Sequence, residues 1–129
     1  PVPVKKAKEL GMPAIALTDH GNMYGAKEFH SNAIKVGIKP ILGIEIYVAS
    51  RSRHDKDKEK DSTRYHLILL AKNKTGYNNL IKLTSKAFVE GYYYRPRIDR
   101  ELLTQYHEGL IVSSACLGGE VAKTIIEKG

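Results

Sequence analysis

The feature that most constrains the fold is a set of short apolar runs that lack clean polar alternation and are separated by segments of helical periodicity. The runs read AIAL, IKPILGIEIYVAS, YHLILLA and GLIVSSAC and begin at Ala14, Ile38, Tyr65 and Gly109. Strands without alternation are typically buried on both faces, as in a parallel sheet or barrel covered by helices. Strands that take turns with helices therefore predict an α/β fold with a parallel sheet or a barrel.

Segments of helical periodicity separate and flank these runs. They cover 4–10, 24–36, 75–89 and 121–128, with a short helix capped by Asp99 that runs through Tyr106. Gly37 and Gly91 are predicted to end the second and third helices. The inner side of the third is predicted to carry Tyr77, Leu80, Ile81, Leu83, Thr84 and Phe88.

Length and composition indicate one globular domain or a part of one. The chain has 129 residues, of which 42% are hydrophobic and 27% charged, a balance typical of folded rather than disordered proteins. The sequence enters a helical pattern almost at once and also ends in one, so we expect it to be cut from a longer polypeptide. We predict a single partial domain over 1–129.

The environment of the chain can also be predicted. No apolar run approaches the roughly 20 residues that cross a bilayer, and no leader pattern opens the chain, so no membrane partner is expected. The single cysteine, Cys116, cannot form an internal disulfide, which favours a cytoplasmic location. The net charge of +7 favours an anionic partner such as nucleic acid, although ordinary solvated surfaces often carry such a charge.

The segment 51–64 is highly charged. Its sequence, RSRHDKDKEKDSTR, holds six basic and four acidic side chains and nothing apolar. Such a composition excludes it from the core and predicts a flexible surface loop, to which we assign no function.

Two candidate site residues follow the first apolar run. Ligand sites of parallel α/β folds gather at the carboxyl ends of the strands, which is where Asp19 and His20 are expected. His20 is a candidate metal ligand, and the alternative is an ordinary surface histidine. Asp19 either orients the ring of His20 or caps the turn that follows.

Glu45 is the third candidate. In a strand, its carboxylate points to the face opposite Ile44 and Ile46. If both faces are covered, an ionised carboxylate there must be paired or bound to a metal, because burial of a bare charge is costly. If one face is open, Glu45 lies in water.

His66 and Cys116 complete the candidate set. His66 opens its strand rather than closing it, so position alone favours an ordinary histidine beside a charged loop. Cys116 lies at a junction between strand and helix, where it is either a small buried apolar residue or a thiolate ligand. Two histidines, a glutamate and a cysteine on four segments would suit zinc, with manganese possible where carboxylates complete the coordination.

The remaining histidines and the aromatic stretch are weaker candidates. His30 lies within a helix, His54 in the charged loop and His107 near the carbonyls at a helix end, and none has a partner that suggests a role. The stretch YYYRPRID, residues 92–99, could stack on bases or contact a nucleic-acid backbone. The simpler interpretation is that its tyrosines pack the domain surface and its arginines face water or another domain.

Five segments together resemble a known family. They are AIALTDHGNMYGAKEFH, GIKPILGIEIYV, YHLILLAKNKTGYNNLIKL, EGYYYRPRID and GLIVSSACLGGEVA. In this order they are similar to the polymerase and histidinol phosphatase (PHP) domain at the N-terminus of bacterial replicative DNA polymerases, the DNA polymerase III alpha subunits. The resemblance covers nearly the whole chain.

The resemblance implies a fold and a metal site. The fold would be a partial, distorted (β/α)7 barrel of the TIM-like kind, with up to three zinc or manganese ions at the strand ends. The family's ligand positions fall on His20, Glu45, His66 and Cys116. His66 is thereby favoured as a ligand, which its place in the strand did not indicate.

The resemblance also implies that the ligand set continues outside these residues. The family has an H-x-H pair and an aspartate near its start and a D-x-H pair far downstream. We expect the first set before this sequence and the last after it, so four of nine ligands are present. The 129 residues alone are expected to hold an incomplete and inactive site.

The implied activity is metal-dependent phosphoester hydrolysis, acting as a 3′→5′ proofreading exonuclease in the intact domain of a DNA-directed DNA polymerase. The partners would be primer–template DNA, the other polymerase domains, a separate proofreading subunit and further replisome subunits. One alternative is an inactive PHP scaffold that stabilises the polymerase and docks the proofreading subunit. Another is a nucleic-acid-binding module independent of metal, whose affinity should fall steeply with salt.

Overall fold

The computed structural model describes residues 2–129, which form five strands and five helices. In chain order these are α1 (Val2–Glu9), β1 (Ala14–His20), α2 (Ala26–Val36), β2 (Lys39–Ala49), β3 (Arg64–Ala71), α3 (Lys74–Val89), β4 (Arg97–Ile98), α4 (Arg100–Gln105), β5 (Leu110–Ser113) and α5 (Glu120–Lys128). The predicted elements are confirmed to within a few residues. The largest shifts are of three residues, in β1, which runs through His20, and in β5, which ends at Ser113. The two-residue strand β4 was not predicted.

The sheet is open and mixed, with the strand order β1-β2-β3-β5 and β4 beside the end of β2. β1 and β4 run parallel to β2, whereas β3 is antiparallel to both β2 and β5. The predicted α/β class is confirmed, but the expectation of an all-parallel sheet is wrong. A parallel pair needs a crossover connection, usually a helix, whereas residues 50–63 between β2 and β3 contain no helix and return the chain as a long hairpin.

The core lies on one face of the sheet. Alternate residues of β2, namely Ile44, Ile46 and Val48, are buried with Leu69 of β3. The same cluster takes in α3, β4 and α4 through Leu80, Leu83, Ala87, Ile98 and Leu102. Successive residues of a strand point to opposite faces, so Glu45 and Tyr47 lie on the face away from this core.

The helix α3 is positioned by its cap and by a narrow buried stripe. Asn73 caps it by accepting a hydrogen bond from the backbone N–H of Gly76 at 2.9 Å. The buried residues are Gly76, Asn79, Leu80, Leu83 and Ala87, which recur at the spacing of one helix face. The predicted inner positions Ile81 and Phe88 are wrong, since they are 43% and 37% exposed and lie beside this stripe.

The predicted helix ends are confirmed at two positions. Asp99 caps α4, because its carboxylate accepts from the backbone N–H of Leu102 at 3.0 Å. Gly37 ends α2 in the left-handed conformation with φ 74°, which a residue with a Cβ adopts at a cost.

The charged segment 51–64 is a loop, but two of its side chains are not on the surface. Arg53 is 8% exposed and Asp61 is 2% exposed, so the exclusion of this segment from the interior is wrong for both. Asp61 accepts two hydrogen bonds from Arg51, at 2.8 and 2.6 Å. Charged groups can be buried when they are paired in this way. The flexibility of the segment stays a prediction.

Arg53 ties the loop to α3 and α4. Its guanidinium donates to Glu90 at 2.7 Å, to Glu101 at 2.9 Å and to Asp99 at 3.0 Å. Burial lowers the pKa of Arg53, but these hydrogen bonds outweigh it and raise the pKa above its ordinary value. Hydrogen bonds from Lys86 and Arg53 lower the pKa of Glu90 to about 2.

Two surface properties of residues 2–129 complete the fold. None of the helices in this range combines the length and the apolar character needed to cross a bilayer. The last helix, α5, presents Val121, Ile125 and Ile126 at the surface, and α5 has no buried residue.

Candidate metal centre

Glu45 enters the site through the alternation of β2. Its neighbours Ile44 and Ile46 are buried in the core, so its carboxylate lies on the other face. Glu45 is opposite His20 in the parallel pair with β1. The prediction that its side chain points away from both isoleucines is confirmed.

His66 reaches the same place because β3 is antiparallel. In the pairing of β2 and β3, His66 is opposite Tyr47 and two residues from Ile68, the partner of Glu45. Residues opposite each other share a face, so His66 and Glu45 lie on the same side of the sheet. The start of an antiparallel strand meets the carboxyl end of its neighbour, which is why a histidine that opens its strand lies at the ligand-bearing edge.

Cys116 arrives on the loop between β5 and α5. The residue before it, Ala115, has φ 62°, a left-handed conformation unusual for a residue with a Cβ. The loop is held against β3 because the backbone N–H of His66 donates to the carbonyl of Gly118 at 3.1 Å. The N–H of Gly118 donates to the sulfur of Cys116 at 3.3 Å, and a Cβ at Gly118 would lie 3.0 Å from the ring of His66.

The three side chains form a compact cluster. His66 Nδ1 lies 3.1 Å from Glu45 Oε1 and 3.4 Å from Cys116 Sγ. One nitrogen, oxygen or sulfur atom from each residue falls within 4.8 Å of the others. Glu45 and His66 are half-buried and Cys116 is exposed, so the cluster is supported from one side and open on the other.

His20 lies at the margin of this cluster. Its Nδ1 is 3.8 Å from Glu45 Oε2, the oxygen that His66 does not contact. The side chain is 68% exposed, and His20 is outside the group of three whose ligand atoms converge. The structure therefore brings three of the predicted ligands together and places the fourth beside them.

Asp19 lies on the core face of β1, because it alternates with His20. Its carboxylate accepts a hydrogen bond from the backbone N–H of Gly25 at 3.3 Å, at the residue before α2. Of the two roles considered for Asp19, this contact corresponds to capping the turn. Its role in orienting His20 stays a prediction.

The donor set fits a borderline-soft cation. Imidazole nitrogen, carboxylate oxygen and thiolate sulfur are all zinc ligands, and the sulfur favours zinc over manganese. Bringing these groups within 4.8 Å of one another leaves a common position at which one ion could be held. The residues present therefore match the chemistry of a zinc ion better than that of a manganese ion.

Two further residues of this face were missed by the sequence reasoning. Tyr47 packs edge-on to His66 with 5.3 Å between ring centroids. The guanidinium carbon of Arg64 lies 6.0 Å from the centroid of Tyr47. Each lies two residues from a predicted ligand in its strand and so shares that ligand's face. This signal becomes usable only when the direction of β3 is known.

The other histidines stay apart from the cluster. His107 Nδ1 lies 2.8 Å from the carbonyl of Thr104, as expected at the end of a helix. His30 is exposed on α2 and His54 is exposed on the charged loop. No group of three or more metal-capable side chains other than the one described forms within residues 2–129.

The stretch 92–99 corrects an expectation. Tyr92 and Tyr94 lie on the surface as expected, where Tyr92 stacks on Phe88 and Tyr94 is edge-on to Tyr93, although both remain exposed. Arg95 is exposed as predicted, but Arg97 is only 1% exposed and donates to the carbonyls of Gly91, Arg53 and Asp55. Arg97 is therefore a structural residue, because it binds the backbone of the charged loop rather than facing solvent.

Comparison with known proteins relates the chain to one family. Residues 3–129 match the family described as "PHP domain". The chain is 55% identical over 125 residues to DNA polymerase III subunit alpha of Chlamydia pneumoniae, which covers 96% of this chain and 10% of that protein. It is 54% identical over 124 residues to the subunit of Borreliella burgdorferi, with 95% and 11% covered. It is 51% identical over 117 residues to that of Thermus aquaticus, with 89% and 10% covered. The chain thus spans about a tenth of the length of these curated relatives.

Proposed function

The chain belongs to the PHP domain family, and from this membership we propose that it is part of the N-terminal PHP domain of a bacterial replicative DNA polymerase, the DNA polymerase III alpha subunit. Identities of 51–55% along nearly the whole chain to three such subunits support this assignment. Polymerisation requires groups in other domains of such a protein. The chemistry proposed for these residues is therefore separate from polymerisation.

We propose that the intact domain is a metal-dependent phosphoesterase that acts as a 3′→5′ proofreading exonuclease. The observation that carries the proposal is the convergence of Glu45, His66 and Cys116 to within 4.8 Å on three separate segments. Imidazole, carboxylate and thiolate groups are the ligands that zinc takes in proteins. His20 extends the ligand set from β1.

The protein's part in this reaction is to place and orient ligands. Glu45, His66, Cys116 and His20 would hold zinc or manganese, and up to three ions are proposed for the complete domain. Such ions lower the pKa of a bound water from 15.7 towards about 7 and neutralise charge on the phosphoryl group. The contact between Cys116 Sγ and the N–H of Gly118 fixes the thiol, and the edge-on packing of Tyr47 limits rotation of the His66 ring.

The proposed fold of the complete domain is a distorted (β/α)7 barrel. The arrangement of the sheet supports this proposal, because the core residues occupy one face and Glu45, Tyr47 and His66 occupy the other. In a barrel the second face would line the interior, with the ligands at the rim. The remaining ligands would come from strands outside residues 1–129.

The proposed setting is DNA replication in the bacterial cytoplasm. The partners would be the primer–template or a free DNA 3′ end, the other polymerase domains, a proofreading subunit and other replisome subunits. The net charge of +7 is compatible with a polyanionic substrate.

The test is exonuclease activity of the natural-length protein on 3′-labelled single-stranded DNA. Zinc or manganese should support release of nucleotides, and Cys116→Ala or His20→Ala should abolish it. His30→Ala is the matched control, because it removes an imidazole from α2 and should leave the rate unchanged. Equal activity of the Cys116 variant and the unaltered protein in metal-controlled buffer would refute the assignment. Absence of activity in the unaltered protein would instead favour the inactive scaffold.

A further inference from the structure

Arg64 lies on the same face of the sheet as the metal cluster. It precedes His66 by two residues in β3, and it pairs with Ala49, two residues after Tyr47 in β2. Residues two apart in a strand share a face, so Glu45, Tyr47, His66 and Arg64 all lie on the side away from the core. Of these four residues, Arg64 carries the permanent positive charge.

The guanidinium of Arg64 and the ring of His66 both lie against the ring of Tyr47. The central carbon of the guanidinium lies 6.0 Å from the centroid of Tyr47, and the ring of His66 lies edge-on to the same ring at 5.3 Å. Tyr47 is buried, and a Cβ at Gly21 would come within 2.8 Å of its Cε2. The ring of Tyr47 is therefore closely packed, and it provides a fixed surface against which the guanidinium of Arg64 lies.

Arg64 has unused donors. Its Nη1 donates to the carbonyl of Ser62 at 3.2 Å. No aspartate or glutamate of residues 2–129 forms an ion pair with it, in contrast to Arg51, Arg53 and Arg100. A guanidinium with free donors in a planar fork is suited to bind a phosphate oxygen pair.

We propose that Arg64 binds a substrate phosphate adjacent to the one that reacts at the cluster, so that the site selects a polynucleotide strand over a phosphomonoester. This inference rests on the proposed phosphoesterase function. Within residues 2–129 Arg64 forms no ion pair with Glu45, and its guanidinium lies against Tyr47 instead, so we assign it a phosphate next to the one at the cluster. A chain of phosphodiesters presents both, whereas a monoester presents one.

The first test measures binding without metal. A fluorescein-labelled single-stranded pentanucleotide is titrated into the natural-length protein in the presence of chelator, at several salt concentrations. Loss of one phosphate contact should reduce the slope of log affinity against log salt by about 0.7 for single-stranded nucleic acid. We expect this reduction in Arg64→Gln and not in Arg64→Lys, which keeps the charge.

The matched control is Lys39→Ala. Lys39 is an exposed cation at the start of β2, about 20 Å along the strand from Glu45, so its removal changes the net charge equally. The control should leave the slope unchanged. A slope in Arg64→Gln equal to that of the unaltered protein would overturn the proposal.

The second test compares two substrates in the metal-loaded protein. Arg64→Gln should reduce kcat/KM for the pentanucleotide about 10- to 100-fold, as expected for loss of a hydrogen bond to a charged group. For p-nitrophenyl phosphate, which has one phosphate, kcat/KM should change less than about twofold, within the effect of an ordinary surface substitution.

The outcomes separate the two proposals. An equal loss on both substrates would mean that Arg64 contacts the reacting phosphate, which contradicts the proposed adjacent site. Full activity of Arg64→Gln on the pentanucleotide would also overturn it while leaving the phosphoesterase assignment intact. If the unaltered protein hydrolyses neither substrate, the phosphoesterase assignment fails, and the salt slope still decides whether Arg64 binds phosphate.

Discussion

At the scale of single residues, the two oxygens of Glu45 serve different neighbours. Oε1 lies 3.1 Å from His66 Nδ1, and Oε2 lies 3.8 Å from His20 Nδ1. Glu45 and the two histidines beside its oxygens would therefore all be available to hold cations in the complete domain. This arrangement supports the proposal that the complete domain holds a cluster of ions rather than one.

Cys116 should set the preference of the site for zinc. Replacing Cys116 with aspartate exchanges a thiolate for a carboxylate, which manganese favours over zinc. We expect the zinc affinity of Cys116→Asp to fall at least about tenfold, the lower end of the loss seen when supporting groups around a metal are removed. The manganese affinity should stay the same or rise, as measured by competition with a chromophoric chelator.

The control for this prediction is again His30→Ala, whose ring lies on α2 outside the cluster. Its zinc affinity should equal that of the unaltered protein. An unchanged ratio of zinc to manganese affinity in Cys116→Asp would show that the sulfur is not a ligand.

At the scale of secondary-structure elements, the network around Arg53 joins the charged loop to α3 and α4. The backbone N–H and the guanidinium of Arg53 both donate hydrogen bonds to Asp99, which caps α4. The guanidinium also donates to Glu90, at the end of α3. Burial raises the pKa of Asp99, but hydrogen bonds from the backbone N–H groups of Arg53 and Leu102 outweigh it, so the pKa is lowered. The loop therefore stabilises the helices as long as these carboxylates are ionised.

This network should make stability depend on pH in acid. The pKa of Glu90 falls from its ordinary 4.5 to about 2 on folding, so its contribution is present above pH 4.5 and is lost as the pH falls towards 2. We expect the free energy of unfolding to decrease over this window. Glu90→Gln should lower the free energy of unfolding near neutral pH and make it depend less steeply on pH in acid. Urea unfolding at several pH values measures both effects.

Glu108→Gln supplies the matched control. Glu108 is exposed, and its side chain forms no ion pair within residues 2–129. The free energy of unfolding should depend on pH as steeply in this variant as in the unaltered protein. A Glu90→Gln variant with an unaltered slope between pH 4.5 and 2 would contradict the role assigned to Glu90.

Most elements could be predicted from local signals. The Asp99 cap, the left-handed Gly37 and the alternation around Glu45 each depend on residues a few positions apart, so they are visible in the sequence. The inner face of α3 was only partly predicted. Ile81 and Phe88 are apolar, but the stripe that meets the sheet is set by the direction from which β2 and β3 approach.

At the scale of the whole molecule, the cluster joins distant parts of the chain. Glu45, His66 and Cys116 come from β2, β3 and the loop after β5. Such a site is not assembled in the unfolded chain, so binding of a metal favours the folded state.

Zinc should therefore stabilise the natural-length protein against heat. At free zinc about 100 times its dissociation constant, the expected gain is about 2.7 kcal/mol. Calorimetry with zinc and with chelator should show a higher Tm with zinc. Glu45→Gln should lose most of this shift, because it removes the charged oxygen ligand at the centre of the cluster.

His107→Ala is the control for the thermal measurement, since His107 follows α4 and its Nδ1 lies 2.8 Å from the carbonyl of Thr104, away from the cluster. It should keep the full response to zinc. If zinc leaves the Tm of the unaltered protein unchanged, the cluster does not bind the metal in the folded state.

The sequence by itself determined the α/β class, the positions of the helices and strands, and the face on which Glu45 lies, because each depends on periodicity or on nearest neighbours. Only the tertiary structure decided that β3 runs antiparallel to β2. Strand direction depends on how a connection folds, and residues 50–63 carry no periodic signal for it. That direction brings His66 and Arg64, at the start of a strand, to the edge where β2 presents Glu45. The tertiary structure also buries Arg53 and Asp61, whose charge predicted exposure. The partner of Arg53, Asp99, is remote in sequence, and the partner of Asp61, Arg51, lies at the other end of the loop.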